Sequence, residues 1–252
     1  LEMKQYIPAE NILKQAIKIQ PKKADIHLGL AKTYIMQDKL AEALPELEKY
    51  VKLKPGDKSA LKPLGTVYYA LGKKDKAIAT FRSAAKAYPK SGELAFMLGI
   101  TLLEAEKYSE AEKQLANAVA LTPKKAEAHL ALAKARVFLN NSMGAAAEME
   151  KYLELNPGDT SILSPLAALY HSMGQDEKAE KLFERIALAD PNSAKSWFNY
   201  GLMLSQNGKY SAALDAYEAA ASDWYEPAPG RPPEKTRLLA SSLVAFYELA
   251  AR

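Results

Sequence analysis

The chain has 252 residues, 25% charged and 48% hydrophobic, with a formal net charge of +4 and both signs interspersed along its length. That balance is too weak and too mixed to argue for a nucleic-acid partner or a charged membrane surface. There is no cysteine, which excludes disulfides, thiolate catalysis and cysteine-based zinc sites and leaves the compartment open.

Residues 1–23 read as a single amphipathic helix, with Tyr6, Ala9, Leu13 and Ala16 in phase and Pro21 closing it. No basic-then-apolar leader precedes it, and no apolar run approaches the ~20 residues of a membrane helix. Leu1 and Glu2 run straight into a segment that already reads as mid-domain, so the expectation is that the natural protein extends further toward its N-terminus.

The chain is periodic from this first helix onward, which matches only the second helix of a preceding, incomplete unit. Prolines stand at 21, 55, 89, 123, 157 and 191, and alanines at 9, 43, 77, 111, 145, 179 and 213, each series on a 34-residue spacing. Two phased series of that length define one supersecondary unit repeated along the chain. The boundaries expected are 24–57, 58–91, 92–125, 126–159, 160–193 and 194–227.

Each unit reads as two amphipathic helices. In the second unit Leu61, Leu64, Gly65 and Tyr68 recur at helical spacing, Gly72 fits a helix end, and Ala77, Phe81, Ala84 and Ala85 mark one face of a second helix before Pro89. The recurrent alanine lets two antiparallel helices approach closely. The large residue four places later (Leu47, Phe81, Leu115, Met149, Phe183, Tyr217) fills the space beside it.

The pattern resembles the tetratricopeptide repeat, most clearly in the last unit, with Trp197, Tyr200, Gly201, Leu204, Gly208, Tyr210, Ala213, Tyr217 and Ala220. The resemblance implies an all-α, right-handed superhelical solenoid of antiparallel helix pairs that binds a protein or peptide partner on its concave face, with no catalytic role and no cofactor. Departures fall at Arg136, where a large apolar residue is usual, at Asn140-Asn141-Ser142, which replaces the usual turn, and at Tyr225, where the terminal proline should stand.

A second period of 102 residues groups the units in threes: His27-Leu28 returns as His129-Leu130, Tyr50 as Tyr152, Asp57 as Asp159 and Pro63 as Pro165. Duplication of a three-unit block accounts for this. Pro63 and Pro165 sit early in a first helix. Either they occupy a first turn, where no backbone donor is needed, or they make the helix late or kinked.

After Ser222 the pattern dissolves into a proline-rich loop. Residues 234–252 then read as one more helix, either a cap on the last unit or the first helix of a further repeat.

On each first helix the face opposite the core stripe is unusually apolar. In this family that face lines the concave side, so the partner-binding residues expected are Leu28, Lys32, Lys62, Tyr69, Phe96, Ile100, Leu130, Lys134, Phe138, Lys195, Phe198 and Leu202. Packing between neighbouring repeats is the competing reading for the apolar ones, and scattered solvation for the lysines. The asparagine that a chaperone-tail clamp of this family needs is absent: the corresponding places hold Lys32, Thr66, Ile100, Lys134, Ala168 and Leu202.

His27 and His129 occupy a packing place, and His171 falls on the groove face. No two histidines stand one turn apart to make a helical zinc pair. There is no glycine-rich phosphate loop and no serine elbow. Glu148 and Glu150 read as solvent-facing charge on an outward second-helix face. The functional reading is a protein-interaction scaffold. The alternatives are a self-associating or spacer array in a larger bacterial envelope or secretion machine, and a regulatory domain of an enzyme.

Overall fold

The computed structural model describes residues 3–224, so the loop and terminal helix expected over 228–252 lie outside the described residues. The chain divides into two compact units, Leu1–Leu139 and Asn140–Arg252. The first contains α1 (Met3–Ile19), α2 (Ala24–Met36), α3 (Leu40–Leu53), α4 (Leu61–Ala70), α5 (Lys74–Ala87), α6 (Gly92–Glu104), α7 (Tyr108–Leu121) and α8 (Ala126–Phe138). The second contains α9 (Ser142–Leu155), a 3-10 turn (Thr160–Ile162), α10 (Leu163–Ser172), α11 (Asp176–Ala189), α12 (Ala194–Gln206) and α13 (Tyr210–Trp224). Within each unit every helix packs on the next in sequence. No strand occurs among the described residues, and the fold is an all-α helical repeat.

The recurrent alanines are buried, as close helix approach requires. Ala43, Ala77, Ala111, Ala145, Ala179 and Ala213 are all 0% exposed. Phe81, Leu47 and Leu115 are equally inaccessible. A further close approach lies opposite them. A Cβ on Gly65 would stand 2.6 Å from the Phe81 ring, one on Gly99 2.6 Å from Leu115, and one on Gly201 2.7 Å from Tyr217. These glycines sit mid-helix, where glycine is otherwise unfavourable, because the facing large residue occupies the Cβ position.

The turn inside each hairpin is a left-handed residue, again every 34 positions: Asp38, Gly72, Glu106, Asn140, Gly174 and Gly208, with φ between 58° and 73°. At Asp38, Gly72, Glu106, Gly174 and Gly208 its N–H, with that of the residue after it, closes the last helical turn, as in Glu106 N to Leu103 O (3.0 Å) and Lys107 N to Leu102 O (2.9 Å). Asn140 explains how the unusual Asn-Asn-Ser turn still works, since asparagine tolerates this conformation better than other residues with a side chain. Asn141 then caps α9 by accepting from Gly144 N at 3.0 Å. Glu106 has no such tolerance. Glu106→Gly is expected to stabilise the protein by about 1 kcal/mol, measured as a higher denaturant midpoint.

Between hairpins the chain is turned by proline. The residue before it is non-helical each time, for example Lys54 (φ −129°, ψ 69°) and Asn156 (φ −130°, ψ 68°). The two extra prolines delay their helices. α4 begins at Leu61 and α10 at Leu163, so Pro63 and Pro165 fall within a first turn because the helix starts late. The two readings of these prolines are one geometry.

The 102-residue relation reaches the side-chain bonds. The Tyr50 hydroxyl donates to Asp57 and Tyr152 to Asp159. Tyr68 donates to Glu48 and Tyr170 to Glu150. Glu150 is exposed, as expected, and in addition accepts from a buried tyrosine. That role is invisible without knowing which helix crosses α9.

Successive hairpins are also clasped at their turns. Glu10 on α1, almost inaccessible, accepts from Lys14 (2.5 Å), Gln37 (3.0 Å) and Lys39 (3.1 Å). Glu180 on α11 takes Asn207 (2.7 Å) and Lys209 (2.8 Å) in the same way. The Lys14 and Lys39 ammonium groups, and then Gln37, lower the Glu10 carboxyl from 4.5 to about 2. The Tyr50 hydroxyl, followed by Ser59, lowers Asp57 from 3.8 to about 2. An unfolded chain takes up both protons first. The stabilisation from these carboxylates is therefore complete above their ordinary values and lost as pH falls toward 2. The unfolding midpoint is expected to drop through that window, and Glu10→Gln, which keeps the shape, to flatten part of the drop.

Candidate functional site

The expected wall belongs to the first helices, and in the first unit it is carried by α2, α4, α6 and α8. Leu28, Tyr69, Phe96 and Ile100 are half-buried, all resting on one apolar cluster whose fully covered members include Leu64, Leu98 and Leu102. Leu28 also leans on Tyr50 and Ala60 at the junction with the next hairpin. Phe96 lies against Ala95, Ala118 and Ala128, with the Lys125 ammonium 4.3 Å from its ring centroid. The two competing readings of these residues therefore meet in the same side chains: one edge packs between repeats and the other remains accessible. Leu130 is likewise half-buried.

Phe138, at the end of α8, is 57% exposed, and its ring stacks on Tyr108 with centroids 4.4 Å apart and planes 10° from parallel. Tyr108 was not among the expected residues. It opens a second helix, and only the crossing of α7 with α8 puts it beside Phe138.

The lysines separate into two kinds. Lys62 pairs with Glu93 on the neighbouring first helix at 2.6 Å, an exposed ion pair of small energetic weight that occupies its charge. Lys32 and Lys134 are exposed and make no ion pair among the described residues. The Tyr69 hydroxyl donates to Glu104. Burial first, then that carboxylate, pushes Tyr69 up to about 12, so it presents a neutral hydroxyl at any physiological pH. Arg136, the unexpected cation of α8, reaches Glu112 at 3.2 Å. In the second unit α12 carries Lys195, exposed, and Phe198 and Leu202, half-buried. The Phe198 ring lies 5.6 Å from that of Tyr217.

His27 and His129 are 4% and 5% exposed and lie in the packing place expected. They do more than pack. His27 Nε2 donates to the Pro21 carbonyl at 2.9 Å and His129 Nε2 to that of Pro123 at 3.0 Å, while Trp197 Nε1 donates to Pro191 at 2.8 Å. The fourth place of these units thus ties each hairpin to the proline turn before it. His171 on α10 is exposed and lies 2.7 Å from Asp176. Among the described residues no cluster of three histidine or acidic side chains could hold a metal ion, and no helix is long and apolar enough to cross a membrane.

The chain is similar to several repeat proteins. BBSome complex member BBS4 of Bos taurus is 27% identical over 187 residues, 74% of this chain and 36% of that protein. Cellulose synthase operon protein C of Xanthomonas axonopodis pv. citri is 27% identical over 237 residues, 89% of this chain and 15% of that protein. The chain thus spans well under half the length of either. Among solved structures, YrrB, described as a TPR protein with an unusual peptide-binding site, superposes with a TM-score of 0.64 at 22% identity over 73% of this chain and 94% of its own. A family model for subunit 3 of the anaphase-promoting complex matches residues 36–118. Family models of the tetratricopeptide repeat match residues 1–66 and 143–197, 96–160 and 182–215. With those matches laid over the hairpins just described, the chain belongs to the tetratricopeptide repeat family.

Proposed function

We propose that the chain is a protein-interaction scaffold that takes an extended or helical segment of a partner protein along the first helices, on the concave side of the array. The observation that carries this reading is the composition of the wall in the first unit. Apolar side chains that a purely structural face would cover remain half open, flanked by two lysines without ion pairs and ending on the exposed Phe138–Tyr108 stack. Rigid aromatic anchors beside polar rims are the usual carriers of binding energy. Lys195, Phe198 and Leu202 offer a face of the same kind on α12.

A second reading has its own support. The match to a cellulose synthase operon protein takes in 89% of this chain and 15% of that one, as expected if the repeats serve as a spacer or self-assembling segment of a larger machine. One experiment tests the first reading against it. The chain and its Lys32→Glu/Lys134→Glu/Phe138→Ala variant are used to capture partners from the native cell extract. The triple variant should retain the captured partner at least about tenfold less well, which corresponds to a loss of about 1.4 kcal/mol. Equal retention would remove the wall from the account.

A further inference from the structure

A cleft of about 640 Å³ opens on the side of the second helices, between α9 and α11, with α10 beneath. Its floor is apolar: Leu153, Leu166 and Leu182 are 8%, 1% and 8% exposed. One wall is α11, which sets Lys178, Lys181 and Arg185 on a single face at i, i+3 and i+7. The other wall is α9, with Glu150 and Glu154.

The two walls differ in how far their charge is already answered. Glu150 accepts the Tyr170 hydroxyl, and Glu154 pairs with Lys151 at 2.7 Å. Lys178 lies over the Tyr170 ring, 4.7 Å from its centroid. Lys181 and Arg185 make no ion pair among the described residues. The cleft therefore offers an apolar floor and an unanswered positive edge.

The repeats supply an internal comparison. One block earlier, 102 residues back, the same three places on α5 hold Lys76, Ala79 and Ser83, and Lys76 lies over Tyr68 at 5.5 Å just as Lys178 lies over Tyr170. On α7 the places hold Glu110, Lys113 and Asn117. The hairpin folds without the second and third cations, so Lys181 and Arg185 are not required by the repeat.

We infer that the cleft between α9 and α11 is a second docking site, for a short acidic segment of a protein partner that carries apolar side chains among its carboxylates. The apolar side chains would rest on Leu153, Leu166 and Leu182. The carboxylates would meet Lys181 and the planar guanidinium of Arg185, which suits two-point carboxylate recognition. The site is separate from the first-helix wall, so either can fail without the other.

The test uses the full chain and a fluorescein-labelled peptide of Glu, Asp, Leu and Gly, followed by fluorescence anisotropy. Binding should weaken at least about tenfold in Lys181→Ala/Arg185→Ala, weaken with added salt, and be absent for the counterpart peptide with Lys for each acid. Both substituted side chains are exposed, and circular dichroism would confirm that the variant keeps its fold. Lys32→Glu/Lys134→Glu should leave the affinity unchanged. Equal binding by the cleft variant, no binding of the acidic peptide, or loss through the wall variant would each overturn the inference. So would retention on phosphatidylserine vesicles through Lys181 and Arg185 with no peptide binding, which would give the cleft to a lipid surface.

Discussion

Phe81→Ala should lower the unfolding free energy by about 3–5 kcal/mol, read as a reduced denaturant midpoint. The ring is 0% exposed and faces Gly65 across the α4–α5 hairpin, with a gap too small for a methyl group. The ring shares one buried apolar cluster with Leu64, Ala77 and Ala84, and in a close-packed core its truncation leaves a cavity. The reciprocal change, Gly65→Ala, should cost about 1–3 kcal/mol by overpacking, although alanine is the better helix former. The informative result is the pair. In Gly65→Ala/Phe81→Ala the new methyl group enters the space the ring vacated, so the loss should fall short of the sum of the single losses by 1 kcal/mol or more. Strict additivity would mean that the two helices do not determine each other's separation.

His27→Leu should cost about 1–3 kcal/mol. Leucine fills the same place in other units, as Leu61 and Leu163, so volume is not the issue. The loss comes from the Pro21 carbonyl, which surrenders its 2.9 Å donor, and from Glu46, whose carboxylate lies 2.5 Å from the other ring nitrogen. Trp197→Phe makes the same cut more gently, keeping an aromatic ring while removing the N–H that reaches Pro191. It should cost about 1 kcal/mol. If both variants unfold at the wild-type midpoint with unchanged denaturant sensitivity, the tie to the proline turn contributes nothing and these residues only pack.

The fold was legible because repetition averages out local ambiguity. One proline or alanine is weak evidence, but the 34-residue phase fixed the helix pairs, the turns and the buried alanines together. The mid-helix glycines were visible as part of the core stripe, yet the reason for them, a facing ring or branched side chain at the Cβ position, required the hairpin. The wall was only half legible. Its residues do lie on first helices, but helical periodicity does not say that Phe96 shares its ring with Lys125 or that Lys62 is taken by Glu93. The cleft was not legible at all. It depends on three elements meeting, which the periodicity of a single helix does not reveal.

The clasps at the turns set an order in which the first unit comes apart. Where Glu10 holds Gln37, the equivalent places in the next hairpins carry Leu44 with Leu71, and Ile78 with Ala105, all in one apolar cluster, while Lys39 recurs as Lys73 and Lys107 with no acid in the place of Glu10. The first joint thus closes on a nearly inaccessible carboxylate, whereas at the same places the next two close on apolar side chains and depend less on protons and dissolved ions. In a fold whose hairpins touch only their neighbours, acid or salt would fray α1 from α2 before it loosens the interior. Hydrogen–deuterium exchange as the pH falls toward 2 would then show α1 amides opening well before those of α4 to α7, a graded loosening rather than a single collapse.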